Sequence, residues 1–370
     1  MSGQPWPAGL AVSEGVANAR SGRWVSLIVV IFVAWATAGA GLANALEVSA
    51  LARAEEAWIL AGAFVMSVEP AATEASTGID VAACERLSEV EGISAAFAMA
   101  LTTATISPAN APGTHATLMD VSPGLYSFLG VREPNGAGLI ATGVGTRKTG
   151  LANGEEAVFT RTEDSGASAT FRATTVIVDR SDLGPSLEGS FMLPTLLTGR
   201  ADSCRIRTDA AHVSAVPGYA SQVLSGPNGT PAIVRPLLSE NTHGLDFTTA
   251  YSTRILRWAW AGAAAALAAL WAVVQRTRRN RHAIYQTFGM HTGARVIMQL
   301  SEWATLSIPG IAWGWGIAMA AAIGAGADPA ISLIQITLHV IAAWCAASIA
   351  VIIAALAPVG TLLEALKDRS

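Results

Sequence analysis

Apolar positions are spread very unevenly along this chain. A charge-free stretch runs from Trp24 to Leu46 and a long polar region follows; three further apolar stretches, Trp258–Gln275, Trp303–Ala327 and Pro329–Leu363, crowd into the last third. Each has the length of the roughly 20 helical residues that cross a ~30 Å hydrocarbon core. None shows the period-two alternation of a membrane barrel strand, and in lipid a lone segment satisfies its backbone only as a helix. The pattern predicts a membrane α-helical protein of four transmembrane helices, with a large α+β extracytoplasmic domain between helices 1 and 2.

The corresponding division is a cytoplasmic N-terminal segment (1–23), helix 1 (24–46), an extracytoplasmic domain with stalk ends (47–254), helix 2 (255–275), a cytoplasmic loop (276–295), helix 3 (296–325), helix 4 (329–357) and a cytoplasmic tail (358–370). Ala43-Asn44-Ala45 has the small-x-small form of a signal-peptidase site. A signal core is about 7–15 apolar residues, however, and this longer run reads as a retained anchor.

Charge sets the orientation. Arg20 and Arg23 precede helix 1, the loop carries Arg276, Arg278, Arg279, Arg281 and Arg295 without a carboxylate, and Lys367 and Arg369 follow helix 4. Short basic flanks stay on the cytoplasmic side, which places both termini and the loop inside. Arg254 and Arg257, at the outer end of helix 2, oppose this unless their long side chains reach toward headgroups. The whole chain carries a net charge of −4, but residues 49–250 hold 21 acidic and 12 basic side chains, a net of −9. So acidic an exterior does not recruit nucleic acid. It suits a solvated surface, or attraction of cationic peptides or metal ions.

Within the exterior, Val65–Val68, Ile93–Ile106, Ala116–Val121 and Ala169–Val178 are rich in strand formers. Asp80 is a good N-cap for a short helix through Val90, which puts Val81, Cys84, Leu87 and Ser88 on one face. Strand, helix and strand across 62–106 make one α+β unit, and 137–225 reads mainly as β. Cys84 and Cys204 both lie outside, where oxidising conditions permit a disulfide, and are expected to form one bridge; the alternative is two separate buried thiols. Cys345 falls in helix 4 and reads as packing. Candidate chemistry is thin. Gly143 through Gly150 has glycine spacing like a phosphate loop, but Arg147 stands where that motif needs Gly before Lys148. His115, Asp120 and Ser122 share a segment, as do His243 and Asp246, without the spatial roles of a triad or a third metal ligand. No catalytic or metal site is assigned.

The loop is more informative. Arg278, Arg279 and Arg281 lead into a short amphipathic element in which Ile284, Tyr285 and Phe288 form an apolar i, i+1, i+4 cluster and Gly289 suits a helix C-terminus. Such an element can be a handle for a soluble partner, or merely a basic stretch touching anionic lipid. With its Arg-rich loop ending in Phe288-Gly289, the early Glu302 of helix 3, the following Gly310, Gly314 and Gly316, and the Ala357-Pro358 to Lys367 tail, the chain resembles the FtsX-like and MacB-like permease family of ABC transporters. The resemblance covers the order of elements over the whole chain and, at residue level, about 278–324 and 357–369. Arg281 and Gln286 depart from the acidic and basic residues the family often carries in this element.

The resemblance implies a permease subunit in a bacterial plasma membrane. It would act as a dimer with a second copy or a related permease, and respond to a separate ABC ATPase through Arg278, Arg279, Arg281, Ile284, Tyr285, Phe288 and Gly289. ATP and Mg would sit on that partner, because no nucleotide-binding motif occurs here; this chain would bind no cofactor and would not itself be an enzyme. The implied action is mechanotransmission, movement of the outer domain during export of a peptide, lipid or small molecule. The competing expectation is a membrane-anchored receptor or scaffold that regulates a cell-envelope partner without transport; a membrane enzyme is a third, for which no acid, base and nucleophile converge. Inside the spans, Glu302, Gln335 and His339 are costly unless paired, and interhelical hydrogen bonding or a contact with the Arg-rich loop is the expected role. Gly310, Gly314 and Gly316 are expected to allow close helix packing, with Pro309 kinking helix 3.

Overall fold

The computed structural model describes residues 6–71, 78–143, 149–178, 183–184, 187, 189–226, 228–278, 281, 284–285 and 287–357. Its helices are α1 (Ala8–Ser21), α2 (Arg23–Leu60), α3 (Val81–Arg86), α4 (Gly124–Leu129), α5 (Val216–Val223), α6 (Glu240–His243), α7 (Phe247–Thr253), α8 (Ala259–Thr277), α9 (Thr292–Gly324) and α10 (Pro329–Leu356). Its strands are β1 (Val65–Glu69), β2 (Ile79–Asp80), β3 (Ile93–Pro108), β4 (Ala116–Val121), β5 (Gly138–Thr142), β6 (Glu156–Thr162), β7 (Ser168–Val178), β8 (Phe191–Pro194), β9 (Arg200–Ala201), β10 (Ser203–Thr208) and β11 (Ile233–Pro236). Two compact units result, one of Met1–Ala54 with Asp246–Ser370 and the other of Glu55–Leu245.

Among the described residues four segments are long and apolar enough to cross a membrane: Arg23–Leu60, Phe247–Thr277, Thr292–Gly324 and Pro329–Leu356. The second is composite. α7 ends at Arg254, whose φ of −53° and ψ of 132° break the helix before a 3-10 turn, Ile255–Trp258, leads into α8. α10 begins sharply because Asp328 accepts a hydrogen bond from Ile331 N at 2.9 Å and Pro329 has no N–H to leave unsatisfied. Size is distributed unlike a water-soluble bundle. Ala318, Ala322, Ala343 and Ala347 are fully buried, while Ile308, Trp313, Leu338, Ile349 and Ile353 lie exposed. Small residues let helices approach, and lipid tails solvate large apolar side chains as well as a protein core does. α9 runs uninterrupted through Pro309.

The second unit is built on one nine-stranded sheet, order β11-β1-β10-β3-β4-β8-β5-β7-β6. β3 is the pivot. Its first half pairs with β10, from Ile93↔Thr208 to Met99↔Ser203, and its last residues pair with β6, from Thr105↔Thr162 to Pro108↔Phe159. The second pairing closes β3, β4, β8, β5, β7 and β6 into a ring around Ile106, Leu118, Leu139, Phe159 and Phe191. The remaining strands form an open wing. α3 and α5 pack on one face of it through Cys84, Leu87, Val216 and Ala220, and α4 covers the other through Leu125, Phe128 and Leu129. Asp80 caps α3 by accepting from Ala83 N at 2.8 Å. A disulfide joins Cys84 of α3 to Cys204 of β10, with Cα atoms 6.0 Å apart. Ser88 departs from the expected buried face and is exposed, because the helix tightens after Arg86 into a 3-10 turn, Leu87–Glu89, that turns it outward. The α+β unit expected across 62–106 is also not self-contained, since its strands are held apart by β10.

Candidate functional site

The loop before α9 is organised by a helix that the sequence pattern did not single out. α1 lies against α9 so closely that a Cβ on Gly15 would collide with the Met298 carbonyl and the Ser301 hydroxyl. Ala11 packs with Met290, Ala294 and Met298 at this contact. Trp6 stands edge-on to Tyr285, ring centroids 5.8 Å apart, and its indole N–H donates to Phe288 O at 3.2 Å. Tyr285 Oη donates to Glu14 Oε2 at 3.2 Å, and burial, followed by the Glu14 charge, pushes the phenol pKa above its ordinary value. Met290 N donates to Tyr285 O at 3.1 Å across Gly289, whose φ of 81° favours glycine. The expected apolar cluster is therefore split. Tyr285 turns inward, whereas Ile284 and Phe288 are 50% and 73% exposed. Arg281 reaches Ser21 Oγ at 3.4 Å. Arg279 lies outside the described residues, as does Gln286.

Arg278, at the C-terminal end of α8, forms an ion pair with Glu302 of α9. Glu302 is 1% exposed, so this is a buried charge with a named partner from the Arg-rich loop. Farther along the helices a second polar cluster joins three elements. Asn44 of α2 donates to Gln335 Oε1 at 2.9 Å, lies 3.4 Å from His339 Nδ1, and accepts at its Oδ1 from Arg254 Nη1 at 3.2 Å. Gln335 and His339 are tied into it from α10. Asn44 and Arg254 had no functional expectation attached, although an Asn inside an apolar run was the available clue. Gly310 and Gly314 face α2, where a Cβ would stand 2.7 Å from Val30 O and 2.5 Å from Ala34 O respectively. Gly316 does not join them; within this chain nothing lies within 4 Å of its Cβ position, because it points away from α2.

Three of the weaker candidates, Asp120, Ser122 and Asp246, have structural roles. Asp120 takes both guanidinium nitrogens of Arg161, at 3.2 and 3.1 Å. Ser122 is buried and accepts from Ala98 N at 3.0 Å. Asp246 caps α7 by accepting from Thr249 N at 3.1 Å. Residues 144–148 of the glycine-rich segment lie outside the described residues, as do 358–370. Among the described residues no three His, Cys, Asp or Glu side chains gather as metal ligands.

No protein-family model matches the chain, and no curated protein matches it. Among solved structures it is similar to the periplasmic region of MacB from Actinobacillus actinomycetemcomitans, at 9% identity over 52% of this chain and 92% of that one, with a TM-score of 0.32. A likeness of that degree carries no argument about activity, which must come from the side chains themselves.

Proposed function

We propose that this chain is the membrane subunit of an ABC transporter, crossing a bacterial plasma membrane four times with both termini in the cytoplasm. In this proposal it passes the work of a separate ATPase to its Glu55–Leu245 unit. The observation that carries the proposal is the platform made by α1 and the loop: a short element locked from behind through Trp6, Glu14 and Tyr285 that turns Phe288 and Ile284 outward. A rigidly backed apolar pair beside Arg281 suits the docking of a soluble protein, and the Arg278–Glu302 pair ties the same loop to α9. The Arg-rich flank, the four crossing-length helices and a disulfide confined to the other unit agree with that orientation. The chain would work as a dimer with a second copy or a related permease, with lipid around it. ATP and Mg would be held by the ATPase, and neither nucleotide nor nucleic acid by this chain. Export of a peptide, lipid or small molecule by mechanotransmission is the action that follows.

The test is purification of the full chain from its native membrane with whatever it holds, and measurement of ATP turnover. Phe288→Asp and Arg281→Glu should abolish partner-stimulated turnover while membrane insertion is unchanged. Normal turnover in both variants, or a preparation that holds no ATPase, favours the receptor or scaffold instead.

A further inference from the structure

Arg205 in β10 is 8% exposed, and its Nε, together with the buried hydroxyls of Ser67 and Ser203, finds no hydrogen-bond partner among the described residues. These three orphans adjoin one another. Ser67 of β1 is directly across from Arg205, and Ser203 lies two residues before Arg205, hence on the same face of the sheet. The opposite face carries Cys204 and Ile206 into the core under α3 and α5, so the three polar groups share the face on which α4 packs through Phe128 and Phe97. On that side Arg205 sits across from Phe97, and Arg235 of the edge strand β11 is across from Ser67, with its side chain 66% exposed. The nearby carboxylate, Glu69, is 3.9 Å from Arg235 and makes no hydrogen bond to Arg205. Burial holds the Arg205 guanidinium below its ordinary pKa, an effect that Glu69 opposes without cancelling.

A buried guanidinium Nε and two buried hydroxyls without partners among the described residues are costly, and all three are donors that one oxyanion can satisfy together. We propose that Arg205, Ser67 and Ser203 form a carboxylate-binding site one strand in from the edge of the sheet, with Arg235 at its rim. A carboxylate fits better than phosphate on two grounds. Its planar pair of oxygens matches the guanidinium fork, and a monoanion meets less repulsion than a dianion beside Glu69 and in a region holding 21 acidic against 12 basic residues. The carboxylate can belong to a free small acid or to the end of a peptide.

Thermal unfolding of the full chain in detergent micelles, in acetate, phosphate and chloride at matched ionic strength, tests the site. Acetate should raise the unfolding temperature over chloride by roughly 1–3 °C, and phosphate by less. Arg205→Gln should lose the acetate shift. Trialanine with a free C-terminus, compared with its amide, distinguishes a peptide end from a free acid: a shift larger than that of acetate and absent with the amide assigns the peptide end, and a shift with acetate but not with trialanine assigns the small acid. Should Arg205→Gln not fold, Ser67→Asp places a carboxylate opposite Arg205 and should make the protein indifferent to acetate. Equal unfolding in acetate and chloride, or an acetate shift that survives either substitution, overturns the proposal.

Discussion

α2 and α9 approach closely at Gly314, and a single methyl group tests the contact. A Cβ there would lie 2.5 Å from Ala34 O, 2.5 Å from Thr37 Oγ1 and 3.0 Å from Ala34 Cα. Carbon contacts settle near 3.5–4.0 Å, so α9 and α2 must separate by roughly 1 Å to admit it. Neither neighbour can yield alone, since two of these atoms are backbone and the Thr37 hydroxyl is held by Val33 O at 2.7 Å. Overpacking of this kind costs about 1–3 kcal/mol. Replacement of a helical Gly by Ala also brings a propensity gain of about 1 kcal/mol, which would mask part of the loss. Gly316→Ala supplies the control, because it receives the same gain with nothing within 4 Å of the new methyl. The difference between the two variants therefore isolates the helix contact at about 1–3 kcal/mol, with Gly314→Ala the less stable. Unfolding by sodium dodecyl sulfate in mixed micelles, followed by tryptophan fluorescence, to which the buried Trp271 and Trp303 contribute, measures it. Equal midpoints would show that α2 and α9 are not in close contact there.

Two further outcomes rest on separate contacts. The Cys84–Cys204 bridge closes a sequence separation of 120, and its removal by paired Cys→Ala substitution should lower stability by about 4–5 kcal/mol in a chain-entropy account. Denaturant titration of oxidised wild type and the variant measures the loss, and a difference near zero would refute the account. Glu302→Gln leaves the Arg278 charge buried without its partner and should cost about 3–5 kcal/mol, most of it recovered when Arg278→Met is added; strictly additive losses in that double-mutant cycle would dissolve the pair.

Much of the fold was legible because local composition decides it. Helices of crossing length need only an uncharged apolar run, so the four segments announce themselves. β4 runs over Ala116–Val121 as its strand formers suggest, and Asp80 caps α3. What stayed hidden depends on distant partners. Nothing in the run of β3 says that residues 93–99 belong with β10 and 105–108 with β6; the register shift between Leu101 and Thr105 that allows the change is a property of the pairing. α1 escaped for another reason. Its buried face is Ala11, Gly15, Asn18 and Ala19, which lacks the large apolar stripe that marks an amphipathic helix, because its neighbour α9 comes too close for larger side chains.

The site shows where counting charges fails. By position alone, Arg254 weighs against placing the outer end of helix 2 outside, since flanking arginines are tallied as free cations retained in the cytoplasm. In the structure its Nε donates to Tyr251 O at 3.0 Å and its Nη1 to Asn44 Oδ1 at 3.2 Å. It is thus a bound member of the cluster that continues through Gln335 and His339. Arg278 is likewise neutralised in place by Glu302. The positive-inside rule acts on charges that remain free while the chain is inserted, so a side chain with a dedicated partner on a neighbouring helix is weak testimony for either side. With Arg254 discounted for that reason, the weight at that end of the helix falls to Arg257, whose Nη1 donates to Ser252 O at 3.1 Å and whose guanidinium lies 5.5 Å from the Trp258 ring. A cation beside Trp suits a membrane–water boundary on either face. The proposed orientation then rests on Arg20, Arg23 and the loop arginines other than Arg278, which favour the same side.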